Sequence, residues 1–317
     1  MKTFWSCTFS FVFPLWLVVA APAIAQPIPG DGMRIDAISD DFEDLAWSFN
    51  HDTATSANGL WRGSFRGAPD VVEPIASPAG GLSGQSQSLL LRSQDFGKDA
   101  TPGQDDFVSQ SYTNRGVTSP TRADLPSVIA RVYLPEVDEL NTDWGVFGMR
   151  LEAVSNDRVG GVDALGRYYP SIWINYWPQG ESNHPTRSQP YLSFRLGDGY
   201  AIDVAGPYLA GGGWYTFGLA FDEAGIAHYY ASGGVDPLTE ADRVFNSTQF
   251  ATNHTSGVNP GMDSVNYHFF SMGYPATHDW SMAFLIDDVS VFVIPEPGSA
   301  LLVLGTLAGM LMRRRRR

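Results

Sequence analysis

The sequence predicts an all-β protein built as a two-sheet antiparallel β-sandwich. Its apolar residues occur in short runs with a period of two, which is typical of strands that bury one face. The chain contains 33 glycines, 21 prolines and 13% aromatic residues, and turn-forming residues separate the apolar runs. No heptad pattern, internal repeat or long helical period interrupts this alternation. Together these observations favour a single sandwich.

The predicted strands alternate apolar with polar positions. They cover residues 128–133, 144–151, 171–177, 191–196, 214–221, 226–231, 265–272 and 282–293. In 191–196, for example, Leu192, Phe194 and Leu196 fall on one face, while Ser193 and Arg195 fall on the other. The polar, turn-rich segments 94–110 and 246–260 are predicted to be surface loops.

A tight hairpin is predicted at residues 222–225, because Gly225 can adopt the positive φ that such a turn requires. The segment around this turn, from Trp214 to Tyr230, resembles laminin-G-like, concanavalin-type jelly rolls. In those domains a strand that begins with Trp, a Gly-containing turn and a strand that ends in Tyr recur. The resemblance implies a two-sheet jelly roll, a fold shared by lectins, glycan-binding modules and some glycosidases. The fold alone does not choose among these functions.

The first 25 residues have the features of a signal peptide. Lys2 precedes an apolar region over residues 9–21, and the Ala-Ile-Ala sequence at 23–25 has the spacing that a signal peptidase reads. Cleavage is therefore predicted between Ala25 and Gln26.

Removal of this leader also removes the only cysteine, Cys7. The exported protein would therefore contain no disulfide, although its compartment would allow one. We expect residues 26–39 to form a linker and residues 40–294 to form the sandwich, which is long enough to bury a core without covalent staples.

Residues 295–317 form a second sorting signal. Pro295, Glu296 and Pro297 precede an apolar run over 299–312, and five arginines follow at 313–317. This order resembles the PEP-CTERM signal of bacterial exosortase substrates. The resemblance implies processing near Pro-Glu-Pro by an exosortase, a membrane-embedded cysteine-type enzyme. It also implies delivery to the exterior of a Gram-negative cell, often one that makes exopolysaccharide.

The length of the apolar run points to a temporary membrane anchor. Residues 299–312 are fewer than the roughly 20 residues of a comfortable spanning helix, so this short transmembrane helix would fit the inner membrane tightly. The arginines would stay cytoplasmic and leave Pro-Glu-Pro outside. The alternative is an ordinary single-span tail anchor, in which Pro-Glu-Pro has no role.

Processing at both ends would make the protein strongly acidic. The full chain has 34 acidic and 20 basic residues, and the loss of Lys2 and the arginine tail brings the net charge near −20. Such a surface repels nucleic acid and favours neutral glycans, cationic polymers or divalent cations. The alternative is that the acidic surface serves only solubility.

Acidic residues mark both ends of the predicted sandwich. Asp41 and Glu43 open it, and Asp287 and Asp288 lie in the last strand, where alternation places Asp287 on the same face as Val289 and Val291. Many carbohydrate-binding jelly rolls look similar at both ends, and their paired first and last strands can share a structural calcium ion. Because a buried unpaired carboxylate is costly, these residues are candidate calcium ligands. The alternative is a carboxylate bonded to backbone amides at a β-bulge.

Aromatic residues provide a candidate ligand-binding surface. Along the strand 171–177, alternation places Trp173, Asn175 and Trp177 on one face. Two tryptophans that flank an amide could stack on sugar rings while the amide bonds a hydroxyl group. The alternative is that both tryptophans belong to the core.

No catalytic motif is complete. The chain lacks a Gly-x-Ser-x-Gly elbow, a phosphate-binding glycine loop and a zinc-binding His-Glu-x-x-His helix. Residues 136–139 (Glu-Val-Asp-Glu) only partly match the alternating acids of laminarinase-type enzymes, because Glu139 directly follows Asp138. The sequence thus leaves two hypotheses: a non-catalytic surface module that binds or structures exopolysaccharide, and a surface polysaccharide hydrolase or lyase.

Overall fold

The protein forms two antiparallel sheets in a computed structural model. The structure describes residues 27–44, 48–50, 55–57, 59, 61–63, 71–92, 105–111, 120, 124–134, 136, 147–154, 171–176, 191–195, 203–223, 226–246, 264–271 and 283–294. Within these ranges the regular structure is all β, apart from 3₁₀ turns at Asp36–Ile38 and Glu240–Asp242. This all-β architecture is consistent with the predicted β-sandwich.

The strands are numbered in chain order. They are β1 (Met33–Arg34), β2 (Phe49–Asn50), β3 (Thr55–Ser56), β4 (Arg62–Gly63), β5 (Val71–Ala76), β6 (Gln87–Arg92), β7 (Asp105–Ser111), β8 (Ser127–Leu134), β9 (Phe147–Val154), β10 (Ser171–Tyr176), β11 (Tyr191–Arg195), β12 (Asp203–Tyr208), β13 (Gly213–Phe221), β14 (Ala227–Gly233), β15 (Arg243–Asn246), β16 (Ser264–Ser271) and β17 (Ala283–Val293).

The two sheets interleave distant parts of the chain. One sheet has eight strands in the order β15-β14-β13-β8-β17-β6-β5, with β1 also paired to β17. The other has nine strands in the order β12-β11-β10-β9-β16-β7-β4-β3-β2. β17, the last strand, therefore lies in the interior of the first sheet, beside β8 and β6.

One face of the eight-stranded sheet forms a buried core. Val128, Ala130 and Val132 of β8 are completely buried, as are Phe217 and Leu219 of β13. These residues alternate along their strands, and the register pairs Phe217 with Ala130 and Leu219 with Val128. Their side chains therefore line one continuous apolar face.

The opposite face of this sheet is covered by residues 27–34, which we call the N-terminal strap. It lies over four adjacent strands in turn: the Pro27 carbonyl accepts a hydrogen bond from Tyr230 of β14, and Pro29 packs at Gly218 of β13. Gly30 then lies beside Ile129 of β8, and β1 pairs with β17. Ile28 packs against a cluster of Ile129, Ala220, Tyr230 and Leu238. The strap is thus part of the packed domain.

This packing corrects the assignment of residues 26–39 as a linker. Beyond the strap, the Ile35 amide donates to the Val291 carbonyl at 2.8 Å, and Ile38 is 2% exposed. These residues supply the cover for an apolar sheet face. Both predicted ends of the sandwich, at 40 and 294, lie within the described ranges.

Each of the eight predicted strands overlaps an observed one, with small shifts at the ends. The prediction of a loop over 94–110 is wrong at its end, because β7 is a strand paired with β16 and β4. The strand begins with Asp105 and Asp106, and these two acidic residues led to the prediction of a loop. The leader, Gln26, and the tail with Pro295, Glu296 and Pro297 lie outside the described residues. In the ranges that are described, no helix has the length and hydrophobicity needed to cross a membrane.

Candidate functional site

The two acidic ends of the domain meet along β17. β1 pairs with the end of β17, through Met33 with Val293 and Arg34 with Phe292. Farther along, Asp40 and Val289 exchange two backbone hydrogen bonds of 2.9 Å. This pairing carries the acidic segment 40–44 toward Asp287 and Asp288, which are some 240 residues away in the chain.

A β-bulge in β17 changes which face Asp287 occupies. The register with β8 shifts between Asp287 and Ser290, and Asp288 has a φ of 43°. A bulge adds a residue to one strand and reverses its alternation beyond that point. Asp287, opposite Arg131, therefore shares its face with Ser290, opposite Ile129. This corrects the predicted placement of Asp287 on the face of Val289 and Val291.

Asp287 has a strongly perturbed environment. It is 1% exposed, and burial is the main factor that raises its carboxyl pKa to about 7. The Asp288 backbone amide donates to this carboxylate and opposes the rise, while the negative charges of Asp288 and Glu43 add to it. The structure thus has the β-bulge and the amide contact of the alternative prediction. It also places Glu43 close enough to raise the Asp287 pKa electrostatically.

Glu43 is held by the loop before β6. Its carboxylate accepts hydrogen bonds from the amides of Ser86 at 2.5 Å and Gln87 at 2.6 Å, and from the Ser86 hydroxyl at 2.8 Å. Partial burial acts to raise the Glu43 pKa, but these hydrogen bonds prevail and lower it below its ordinary value. The carboxylate is thus ionised and fixed in position.

Asp288 has a different role, because it belongs to an ion-pair network. Arg131 binds its carboxylate through Nη1, and the Ser290 hydroxyl donates to it at 2.7 Å. Arg34 Nη2 lies 3.9 Å from the same carboxylate. The side chains of Arg131 and Asp288 are 9% and 16% exposed, so the pair is largely buried. These cations make Asp288 a structural anchor for the bulge.

The segment 40–43 is organised by its own carboxylates. Asp40 accepts hydrogen bonds from the Phe42 amide at 2.9 Å and from Trp61 Nε1 at 2.7 Å. Asp41 accepts one from the Glu43 amide at 3.3 Å. Phe42, with a φ of 56°, stacks on Trp61 with ring centroids 5.8 Å apart. Sequence reasoning missed Asp40 and Trp61; the Asp-x-Phe turn was a usable signal for the former.

Of the predicted calcium ligands, Glu43 and Asp287 are the two whose contacts leave them able to bind the ion. Both offer the hard oxygen donors that calcium prefers, and one of them is a buried carboxylate that a cation would neutralise. In the described part of the chain, no cluster of three or more His, Cys, Asp or Glu side chains is arranged to hold a metal. A calcium ion here would therefore need backbone carbonyl oxygens in addition.

The second candidate site lies on the nine-stranded sheet. Ile172 of β10 is completely buried, and the register pairs it with Leu151 of β9 and Phe194 of β11. Because successive strand residues alternate between faces, Trp173 and Asn175 belong to the face opposite this apolar set. Trp177 lies outside the described residues.

Polar and aromatic residues align across the face of Trp173. Trp173 is paired with Ser193 of β11 and Arg150 of β9, and Arg150 is paired with His268 of β16. We call Ser193, Trp173, Arg150 and His268 the central row. It crosses four adjacent strands and spans about 14 Å at the usual strand spacing. A row of this length suits an extended chain molecule better than a compact ligand.

Three acidic residues, Glu152, Asp203 and Asp105, belong to this face by register, and they are widely spaced. Glu152 of β9 and Asp203 of β12 fall in one row, with β10 and β11 between them. Three strand spacings separate them by about 14 Å. Glycosidases place their two catalytic carboxyl groups about 5–9.5 Å apart. Glu136, from the partial laminarinase-like motif, is exposed just after β8, and residues 137–139 lie outside the described ranges.

Comparisons with known proteins leave the function open. No protein-family model matches the chain, and no curated protein sequence matches it. Solved structures with a similar course of the backbone include the Emp47p carbohydrate recognition domain. It matches at 9% identity and a TM-score of 0.43, over 82% of this chain and 97% of that one.

Two further examples are bacterial and viral. The pseudo β-1,3-glucanase Rv0315 of Mycobacterium tuberculosis matches at 14% identity and a TM-score of 0.44, over 80% of this chain and 97% of that one. A carbohydrate esterase of the Shiga toxin-encoding bacteriophage phi24B matches at 9% identity and a TM-score of 0.48, over 83% of this chain and all of that one. At such identities and scores these likenesses assign no function.

Proposed function

We propose that this protein is an exported, non-catalytic module that binds or structures extracellular polysaccharide. The observation that carries the proposal is the strand register of the nine-stranded sheet, which places Trp173 and Asn175 on one face with Arg150 and His268. An indole offers a flat apolar surface to a sugar ring, and amide and guanidinium groups bond hydroxyls.

The alternative function is a surface polysaccharide hydrolase or lyase. Glu152 and Asp203 lie about 14 Å apart in one row. This distance exceeds the spacing of the two catalytic carboxyl groups in glycosidases, so it favours binding over hydrolysis. Both functions would use the same face, so one experiment can separate them.

The test is a glycan array probed with the exported, processed protein and read for both retention and product release. Retention without release is the expected result. Replacement of Trp173 by alanine should abolish retention while the circular dichroism spectrum stays unchanged. Release of shorter products would favour the enzyme, and silence in both readouts would leave a purely structural matrix role.

A structural calcium ion held by Glu43 and Asp287 forms part of the proposal. Its role would be to neutralise the buried Asp287 carboxylate and to join the start of the domain to its last strand. Support comes from the burial of Asp287 and from the fixed, ionised Glu43 carboxylate.

Export and processing complete the proposed function. Signal peptidase would cut after Ala25, and an exosortase would act at Pro295-Glu296-Pro297 while the short helix 299–312 holds the protein temporarily in the inner membrane. The product would reside at the cell surface or outside the cell. Mass spectrometry of the exported protein tests this directly: a C-terminus that still carries Arg317 contradicts exosortase processing.

A further inference from the structure

The N-terminal strap holds the end of β17, the strand that leads into the proposed processing motif. Met33 pairs with Val293, and Arg34 pairs with Phe292. The register of β17 with β8 ends at Phe292, which lies opposite Ser127. Val293 therefore extends the sheet by one more residue through its pairing with the strap.

Gly32 brings the strap into close contact with the last residues of the domain. It has a φ of 98°, and an added Cβ would collide with the Val293 carbonyl oxygen and lie 3.0 Å from Ile294 Cγ1. The Ile294 amide in turn donates a hydrogen bond of 2.8 Å to the Asp124 carbonyl. The backbone is thus held in place up to the residue directly before Pro295.

The strap and the end of β17 also cover one apolar cluster together. Ile28 of the strap and Phe292 of β17 both pack against the buried residues Ile129, Ala220, Tyr230 and Leu238. Release of the strap would remove apolar contacts from this cluster as well as the strand partner of Val293. Docking of the strap and order at the end of β17 are therefore linked.

The proposed motif has little chain to spare on either side. Pro-Glu-Pro begins directly after Ile294, and the apolar run begins at Ser299. The five peptide units from Ile294 to Ser299 reach at most about 18 Å. A protease binds several consecutive residues around the bond that it cuts, and cleavage of a folded protein follows the population of its locally opened state. A membrane-embedded enzyme would therefore need the end of β17 to leave the sheet.

We propose that the docked N-terminal strap restrains exosortase processing, and that release of the strap from β17 opens the motif to the enzyme. This inference rests on the proposed processing at Pro-Glu-Pro. The strap acts as a latch: while β1 is paired, Val293 and Ile294 stay in the sheet, and when β1 leaves, they lengthen the accessible chain before the motif.

The first experiment loosens the strap. The full chain, folded in detergent, is mixed with membranes that contain an exosortase, and loss of the arginine tail is followed over time by mass spectrometry. Gly32→Ala should be processed about tenfold faster than the wild type, because its positive φ and the collision with Val293 both oppose docking. Gly84→Ala is the matched control, since Gly84 has a φ of 88° but an added Cβ there meets no atom within 4 Å. It should be processed at the wild-type rate.

The second experiment locks the strap. Met33→Cys combined with Val293→Cys places two thiols at directly paired strand positions, within the distance that a disulfide spans. The cross-linked protein should be processed about tenfold more slowly than the same protein after reduction. Each single substitution, treated in the same way, is the control and should show no effect of reduction.

Equal rates for the wild type, Gly32→Ala and the cross-linked protein would overturn the inference while leaving exosortase processing intact. Slower processing of Gly32→Ala would overturn it as well, because the docked strap would then present the motif to the enzyme. If every form keeps its arginine tail, unfolded protein included, the proposed processing itself is wrong.

Discussion

The hydroxyl group of Tyr230 donates a hydrogen bond of 3.2 Å to the carbonyl of Pro27, although 203 residues separate them in the chain. Tyr230 is completely buried, and Glu240 Oε2 lies 3.4 Å from the same hydroxyl. This contact holds the beginning of the N-terminal strap on β14, close to the predicted signal-peptide cleavage point. Pro27 is thereby tied to the packing of the eight-stranded sheet.

Alkaline pH should loosen this attachment. Burial, aided by the negative charge of Glu240, raises the pKa of Tyr230 to about 12 from an ordinary value of 10.0. The folded state therefore disfavours the phenolate, so the stabilisation from neutral Tyr230 is complete below pH 10.0 and is lost as the pH rises toward 12. Tyr230→Phe should cost about 1 kcal/mol at neutral pH and reduce the loss of stability between these pH values. Urea denaturation across that range measures both effects, and an unchanged pH slope would contradict this account.

Gly218 should be required for the strap to dock. An added Cβ would lie 2.6 Å from Leu238 Cδ1 and 2.7 Å from the Pro29 ring. Gly218→Ala should therefore destabilise the domain by about 1–3 kcal/mol and expose the strap to limited proteolysis. Gly233→Ala is the control, because a Cβ there meets no atom within 4 Å. Equal melting temperatures for the two variants would show that the strap adjusts freely.

Removal of calcium should lower stability through Asp287. We expect a chelator to reduce the melting temperature of the wild-type domain by several degrees, because the buried Asp287 carboxylate would lose its counter-charge. Asp287→Asn should melt at the same temperature with and without calcium. Asp36→Asn, whose carboxylate is 85% exposed, should keep the wild-type response. A wild-type melting temperature that a chelator leaves unchanged would exclude the calcium site.

The Arg131–Asp288 pair should hold the bulge of β17 in place. Arg131→Met leaves the largely buried Asp288 carboxylate without its main cation and should cost about 2–3 kcal/mol. The same substitution combined with Asp288→Asn should cost less than the sum of the single changes, because no buried charge then remains unpaired. Denaturant titration of the four proteins completes this cycle; simple additivity would argue against coupling.

Backbone strain gives the same bulge a second, separate test. With a φ of 43°, Asp288 occupies the left-handed region, which asparagine tolerates better than alanine. Asp288→Ala should therefore be less stable than Asp288→Asn by about 1 kcal/mol. Thermal melts of the two variants suffice, and the reverse order would indicate that the bulge relaxes.

Local pattern was sufficient for the strands whose apolar residues alternate. The predicted runs at 191–196 and 214–221 coincide closely with β11 and β13, because large apolar residues at every second position are typical of a strand. The same reasoning failed for β7, whose first residues are Asp105 and Asp106, and for the strap, whose prolines and glycines resemble a linker. In these segments, pairing with distant strands and apolar cover outweigh local composition.

In the candidate site, too, some features could be predicted from the local sequence and others could not. The sequence by itself identified Glu43, Asp287, Trp173 and Asn175 as chemically notable, since a carboxylate in an apolar strand and a tryptophan beside an amide are visible in one dimension. The two proposed sorting signals are likewise linear segments of the sequence.

Only the tertiary structure decided which of these residues act together. The bulge at Asp288 places Asp287 on the face of β17 opposite to the one predicted. Arg131 forms an ion pair with Asp288, and Ser86 holds the Glu43 carboxylate by hydrogen bonds. Strand register likewise placed Arg150 and His268 in line with Trp173. These relationships join residues far apart in the chain, and they depend on backbone geometry and pairing that no local run of residues encodes.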